Sequence, residues 1–171
     1  MIDLGLMTYF LRMEIKQVED EVFICQRKYA KKKRKKFHME DCKATVTPMN
    51  QKESLNKEDV TDKIEKCNFR SLIGCLMYFT TSRPNILFIV SLLSCFMHCA
   101  SELHLKAAKR VLKYIKGIVN FGVKFKKNQC FKLLGFSNSD WRGSVDDTKK
   151  TSRYCFSLGS GIFCGALRSR R

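Results

Sequence analysis

Between residues 69 and 117 the chain runs through three consecutive apolar segments of helical character, and these limit most strongly the folds open to it. In the first, Phe69, Leu72, Ile73 and Leu76 recur at i, i+3, i+4 and i+7, which makes one stripe of a helix apolar. Arg83-Pro84 is expected to end it, because the residue before proline is steered away from the helical region. The second segment, Ile86 to Cys99, is apolar nearly all round and is expected to be the most buried. In the third, Ala108, Val111, Leu112 and Ile115 form an inner face. Lys106, Lys109, Arg110, Lys113 and Lys116 form its outer face, and Gly117 is the expected C-cap.

The flanking pattern changes from helix to strand. Residues 6–16 and 21–25 are rich in aromatic and β-branched types and are separated by Val18-Glu-Asp, which predicts a β-hairpin. A basic segment, Gln26 to Met39, is expected to be helical, and residues 41–66, polar and carrying Pro48, to form a loop. After residue 120 short β-type runs follow, Phe121 to Phe125, Phe131 to Ser137 and Tyr154 to Leu158, so a domain junction is expected near 120. The fold class read from this order is α+β.

Charge narrows the partners. There are 33 Lys+Arg against 16 Asp+Glu, a formal net charge of +17. Such a surface attracts polyanions, because each neutralised phosphate releases counterions. A hydrophobic content of 44% is enough for a core and argues against wholesale disorder. Nine cysteines with no CxxC pair fit a reducing compartment. The first residues carry an acid and no basic n-region, so no signal peptide is read there. The apolar run Ile86 to Met97 falls short of the roughly 18 to 20 residues that span a bilayer. The expectation is a chain without membrane contact inside the cell, nuclear or cytoplasmic.

The segments, in their order, resemble the end of the reverse transcriptase and the start of the ribonuclease H domain in copia-type retrotransposon Pol polyproteins. The stretches that carry the resemblance begin with Asp3-Leu-Gly-Leu-Met-Thr-Tyr-Phe-Leu, Gln26-Arg-Lys-Tyr-Ala and Thr47-Pro-Met. They continue with Phe69-Arg-Ser-Leu-Ile-Gly-Cys-Leu-Met-Tyr, Ser82-Arg-Pro and Val90-Ser-Leu-Leu-Ser. Last come His104-Leu-Lys-Ala-Ala-Lys-Arg-Val-Leu-Lys-Tyr-Ile-Lys-Gly, Ser139-Asp-Trp and Tyr154-Cys-Phe-Ser-Leu-Gly-Ser-Gly. The resemblance implies a β-hairpin and a helical thumb/connection-like region followed by a truncated ribonuclease H-like sheet. Its parts would be residues 1–50 (reverse-transcriptase hairpin and basic helix), 51–68 (linker), 69–120 (three-helix region) and 121–171 (ribonuclease H-like).

The parent function so implied is RNA-directed DNA synthesis with hydrolysis of the RNA strand, both supported by carboxylate-held Mg ions. The family's Tyr-Val-Asp-Asp turn precedes the stretch at which this chain begins, and Asp146-Asp147 lies in the wrong region to replace it. The first ribonuclease H aspartate of the family falls on Asn138, in Gly135-Phe-Ser-Asn-Ser-Asp-Trp. A neutral amide is a poor bridge between two cations. Asp140, two residues on, is the weak remaining candidate. The resemblance therefore implies no enzyme, no cofactor and no metal site. It leaves residual, non-specific binding to nucleic acid or an RNA–DNA hybrid through Lys31, Lys32, Lys33, Arg34, Lys35, Lys36, Lys106, Lys109, Arg110 and Lys113.

Departures from the family suggest decay. Lys33-Arg34 stands where an aliphatic pair usually faces the core, so the basic helix is expected to dock poorly or stay exposed. Asn85 replaces Asp, Ala100 replaces a proline, and Arg153 replaces a glycine before Tyr154, where a turn of positive φ would be strained. The tail Cys164-Gly-Ala-Leu-Arg fits a one-base deletion in codons for Cys-Trp-Ser-Ser-Lys-Lys, which restoring that base in the locus tests. Three alternatives remain. Lys31 to Lys36 forms a nuclear-import-like cluster, which suits a basic nuclear or effector-like interaction protein derived from a retroelement. Cys95, His98 and Cys99 would share a helix face near His104 but lack a second ligand arm, and free thiols on a buried helix explain them better. Trp141 and the tyrosines could stack on bases, yet core packing accounts for most of them.

Overall fold

The computed structural model describes residues 5–50, 55, 65–127, 132–140 and 151–169. Its first sheet contains β1 (Tyr9–Phe10), β2 (Met13–Val18) and β3 (Glu21–Cys25), followed by helix α1 (Arg27–Lys36). Helix α2 (Lys66–Phe79), a 3₁₀ turn (Pro84–Ile86), α3 (Leu87–Ser94) and α4 (Glu102–Gly117) come next. The chain then forms β4 (Gly122–Lys126), β5 (Leu133–Asp140), β6 (Thr151–Leu158) and β7 (Gly161–Ser169). The mixture is α+β.

The hairpin forms where the sequence places it, with Glu19 and Asp20 between β2 and β3. Its first strand is broken, however. Leu11 and Arg12 take positive φ (44° and 62°), turning the chain so that Tyr9 and Phe10 fold back onto Glu14 and Met13. Side chains other than glycine pay steric strain there. The Tyr78 hydroxyl holds the turn by donating to the Leu11 carbonyl, and the Arg12 guanidinium lies over the Tyr29 ring.

The strand following the helices corrects the expected junction near residue 120. β4 pairs antiparallel with β3, Val22 opposite Phe125 and Ile24 opposite Val123, so the first sheet has the order β1-β2-β3-β4. The helices are thus enclosed between two neighbouring strands of one sheet, and the change of sheet falls after Lys126. The second sheet is β5-β6-β7, antiparallel throughout.

The apolar stripes converge as their spacing dictates. α2 buries Phe69, Leu72, Ile73, Leu76 and Phe79, and α4 buries Ala108, Val111, Leu112 and Ile115 in the same cluster. The middle segment departs from expectation. It is not one helix from Ile86 to Cys99, since α3 ends at Ser94 and turns follow. Nor is it buried all round: Ile89, Val90 and Leu93 face the core while Phe88 is 36% exposed. Pro84 opens the 3₁₀ turn, where its missing N–H costs nothing. Gly117 is the last residue of α4 and Ile118 the C-cap, which corrects the expected glycine cap. Residues 41–50 hold no helix or strand, as read, while 51–54 and 56–64 lie outside the described residues.

Candidate nucleic-acid interface

α1 docks, contrary to expectation, and the reason lies in which residues face inward. Tyr29 and Ala30 are buried, Tyr29 packing edge-on to Tyr78 at 4.8 Å and against Phe79 at 4.9 Å between centroids. Lys33 is half-buried, its ammonium 5.2 Å from the centre of the Tyr29 ring. Arg34 is also half-buried, and its Nε is buried without a hydrogen-bond partner among the described residues. The helix has no acid in its first turn. Glu14 on β2 supplies one, accepting the Lys28 backbone N–H at 2.7 Å and standing 3.4 Å from Arg27 Nε. Lys36 donates to Ser71 Oγ at 2.8 Å. Lys31, Lys32 and Lys35 are exposed and make the solvent face of α1 cationic.

On α4 the nominated cations divide. Lys109 is exposed. Lys106 reaches Glu102 one turn back at 3.1 Å. Arg110 donates to Thr47 Oγ1 at 3.1 Å, and the Lys113 carbonyl accepts the Thr45 N–H at 3.4 Å. Lys116 donates to the Glu40 and Cys42 carbonyls at 2.8 and 2.9 Å. Part of the outer face read as polyanion-binding therefore holds residues 40–47 along α4. α1 and α4 are in contact, so the exposed lysines of both belong to one body.

Asn138 and Asp140 lie at the end of β5, opposite Arg153 and Thr151. Arg153 is inside β6, paired with Asn138 and Leu167, so it does not occupy the expected turn. Trp141, Asp146 and Asp147 lie outside the described residues. Among the described residues no three His, Cys, Asp or Glu side chains are gathered to hold a metal ion. Cys95, His98 and Cys99 fall in the turns after α3 and do not share a helix face. His104 is buried and caps α4: its Nδ1 accepts the Ser101 N–H at 3.1 Å and lies 2.6 Å from Ser101 Oγ.

Sequence reasoning missed a buried polar junction. Arg83 is 2% exposed, and its guanidinium donates to Gln26 Oε1 (3.2 Å), Ser82 Oγ (2.9 Å) and the Val119 carbonyl (3.2 Å). Gln26 Nε2 donates to the Tyr78 carbonyl at 3.1 Å, and Ser82 Oγ donates to Gln26 Oε1 at 2.7 Å. The network ties the β3–α1 joint, the α2–α3 joint and the α4–β4 joint at one point. Burial lowers the Arg83 pKa to about 10, opposed by Cys25. The signal available in the sequence was a Ser-Arg pair set between two apolar helices.

These features define a basic α+β protein with a lysine-faced helix seated on an apolar helical core. In sequence it is similar to the retrovirus-related Pol polyprotein from transposon RE1 of Arabidopsis thaliana, 35% identical over 88% of this chain and 10% of that protein. It is also similar to an uncharacterized mitochondrial protein of Arabidopsis thaliana, 36% identical over 95% of this chain and 67% of that one. A secreted RxLR effector protein of Plasmopara viticola is 35% identical over 60% of this chain and 72% of its own length. The chain belongs to the Pol polyprotein family of copia-type retrotransposons. It spans about a tenth of the length of the RE1 and RE2 polyproteins. No protein-family model and no solved structure matches it. Among the described residues no helix is long and apolar enough to cross a membrane.

Proposed function

We propose that this chain is a remnant of the reverse transcriptase/ribonuclease H region of a Pol polyprotein, catalytically inactive and retaining sequence-independent affinity for nucleic acid. The observation that carries the binding reading is the exposed lysine face of α1, Lys31, Lys32 and Lys35, on a helix that Tyr29 and Ala30 hold in place. Fixed cations at helical spacing neutralise successive phosphates without reading bases. The inactive reading rests on Asn138 at the position of the family's first nuclease acid. In this reading β1 to β3 and α1 derive from the reverse-transcriptase hairpin and basic helix, α2 to α4 from the thumb/connection-like region, and β5 to β7 from the ribonuclease H-like sheet.

Titrating the purified chain with an RNA–DNA hybrid, duplex DNA and single-stranded RNA tests both parts. Similar affinities for all three are expected, with log K falling steeply and linearly against log salt, and no cleavage in Mg²⁺. Binding that does not respond to salt overturns the first part. Hybrid cleavage that Asp140→Asn abolishes overturns the second. An interaction protein of effector type is a second reading, favoured by the similarity to the Plasmopara protein. Capture of one folded partner protein in about 0.5 M salt, where polyanion binding is screened, would favour it.

A further inference from the structure

Lys31 to Lys36 form an unbroken run of six basic residues, and the structure uses them unequally. At about 3.6 residues per turn, six successive side chains point all the way round a helix. Lys31, Lys32 and Lys35 are exposed, whereas Lys33 and Arg34 are half-buried and Lys36 is tied to Ser71 of α2. The run also covers only about 8 Å of helix axis, against about 17 Å when extended. A groove that reads successive basic side chains of a linear signal, as nuclear-import receptors do, cannot reach all six on the folded helix.

α1 is weakly held for a docked helix. Two of its ten residues, Tyr29 and Ala30, are buried, against six of fourteen in α2 and six of sixteen in α4. Its first turn carries Arg27 and Lys28, cations at the end where the helix dipole disfavours them. Gln26, at the N-cap, turns its side chain to the Tyr78 carbonyl and Thr81 instead of to the helix. Glu14, reaching across from β2, supplies the missing acid. At the other end the Met39 N–H donates to the Arg34 carbonyl at 2.9 Å. The turn that allows this runs through His38, whose φ of 52° is a conformation that favours glycine. Segments with few buried apolar contacts open locally well below the cost of global unfolding.

We infer that Lys31 to Lys36 is a concealed linear signal: docking of α1 withholds it, and local opening of that helix presents it, extended, to an acidic peptide-binding groove of the nuclear-import type. The folded lysine face and the extended run are alternative states of one segment, since the first needs the helix and the second needs it undone. The receptor binds the open state alone, so its apparent affinity is scaled down by the fraction of chains in which α1 is open. The contacts that hold α1 set that fraction. Glu14 and Tyr29 lower it, and the left-handed His38 raises it.

Fluorescence anisotropy with a purified import adaptor, one whose acidic groove takes extended basic peptides, tests this on the full chain beside a synthetic peptide of residues 26–40. The peptide is expected to bind with a Kd of about 1 µM or tighter, and the full chain at least about tenfold more weakly. That ratio should match the closed-to-open ratio that amide hydrogen exchange gives for Ala30 to Lys36. Neither Glu14 nor His38 belongs to the run, so changes there leave the six basic side chains as they are. Glu14→Gln removes the carboxylate from the helix N-terminus and should tighten full-chain binding about threefold. His38→Gly relieves the turn and should weaken it about threefold, while the peptide carrying the same change binds as before. A peptide that fails to bind, a full chain that binds as tightly as the peptide, or affinities that both variants leave unmoved overturns the proposal.

Discussion

Arg83 brings a full positive charge to a place where, among the described residues, its hydrogen bonds go to neutral oxygens. Its planar fork reaches Gln26, Ser82 and Val119 at once, which an ammonium on a flexible stem cannot do. Arg83→Lys is therefore expected to lower stability by about 2 to 3 kcal/mol, since it leaves buried acceptors unbonded. Denaturant unfolding at pH 7 checks this. The same side chain and Tyr29 set opposing trends at high pH. Burial depresses the Arg83 pKa to about 10, so the unfolded chain holds that proton longer, and this group favours the fold as pH rises above about 10. Burial first, then Cys75, raises the Tyr29 pKa, so its contribution is complete below the ordinary tyrosine range and is lost as pH climbs through it. Tyr29→Phe should thus make stability rise more steeply, or fall less, between pH 10 and 12 than in the unaltered chain. Denaturation midpoints across that window report it.

At the level of elements, α1 is held in spite of its own composition. Basic residues fill both its exposed and its half-buried positions, and like charges one turn apart repel. Tyr29, Ala30 and the Glu14 carboxylate at its N-terminus offset this. Arg34→Leu should stabilise the protein by about 1 kcal/mol, because it removes a buried Nε that has no acceptor among the described residues. Equilibrium unfolding checks the sign. At α4 the cap is Ser101 with His104, and Ser101→Ala should cost about 1 kcal/mol by the same measurement. Gly122 joins β4 to β3, and a β-carbon there would stand on the Ile24 carbonyl oxygen. Gly122→Ala should open this strand pair, seen as faster amide exchange at Val22 and Ile24, whose N–H groups lie in that ladder.

For the whole molecule, the charge of +17 acts on stability and on binding in opposite directions. Salt screens self-repulsion and should raise the melting temperature, yet it should weaken polyanion binding. A nucleic acid added at low salt should raise that temperature by linkage, an effect that vanishes near 0.5 M salt. Differential scanning measurements at both salts follow the two effects together. The sequence by itself determined what depends on neighbours a few residues apart. The stripes of α2 and α4, the Glu19–Asp20 turn and the basic run on α1 all follow from local period and turn chemistry. The exposed lysines of the candidate interface were legible for the same reason. Only the tertiary structure decided the rest. It placed β4 beside β3, about a hundred residues earlier, ended α3 at Ser94, drew Arg110 and Lys116 into holding residues 40–47, and buried Arg83 among three joints. Each of these is settled by which backbone and polar groups find partners once water is excluded, and those partners lie too far along the chain for any local pattern to specify.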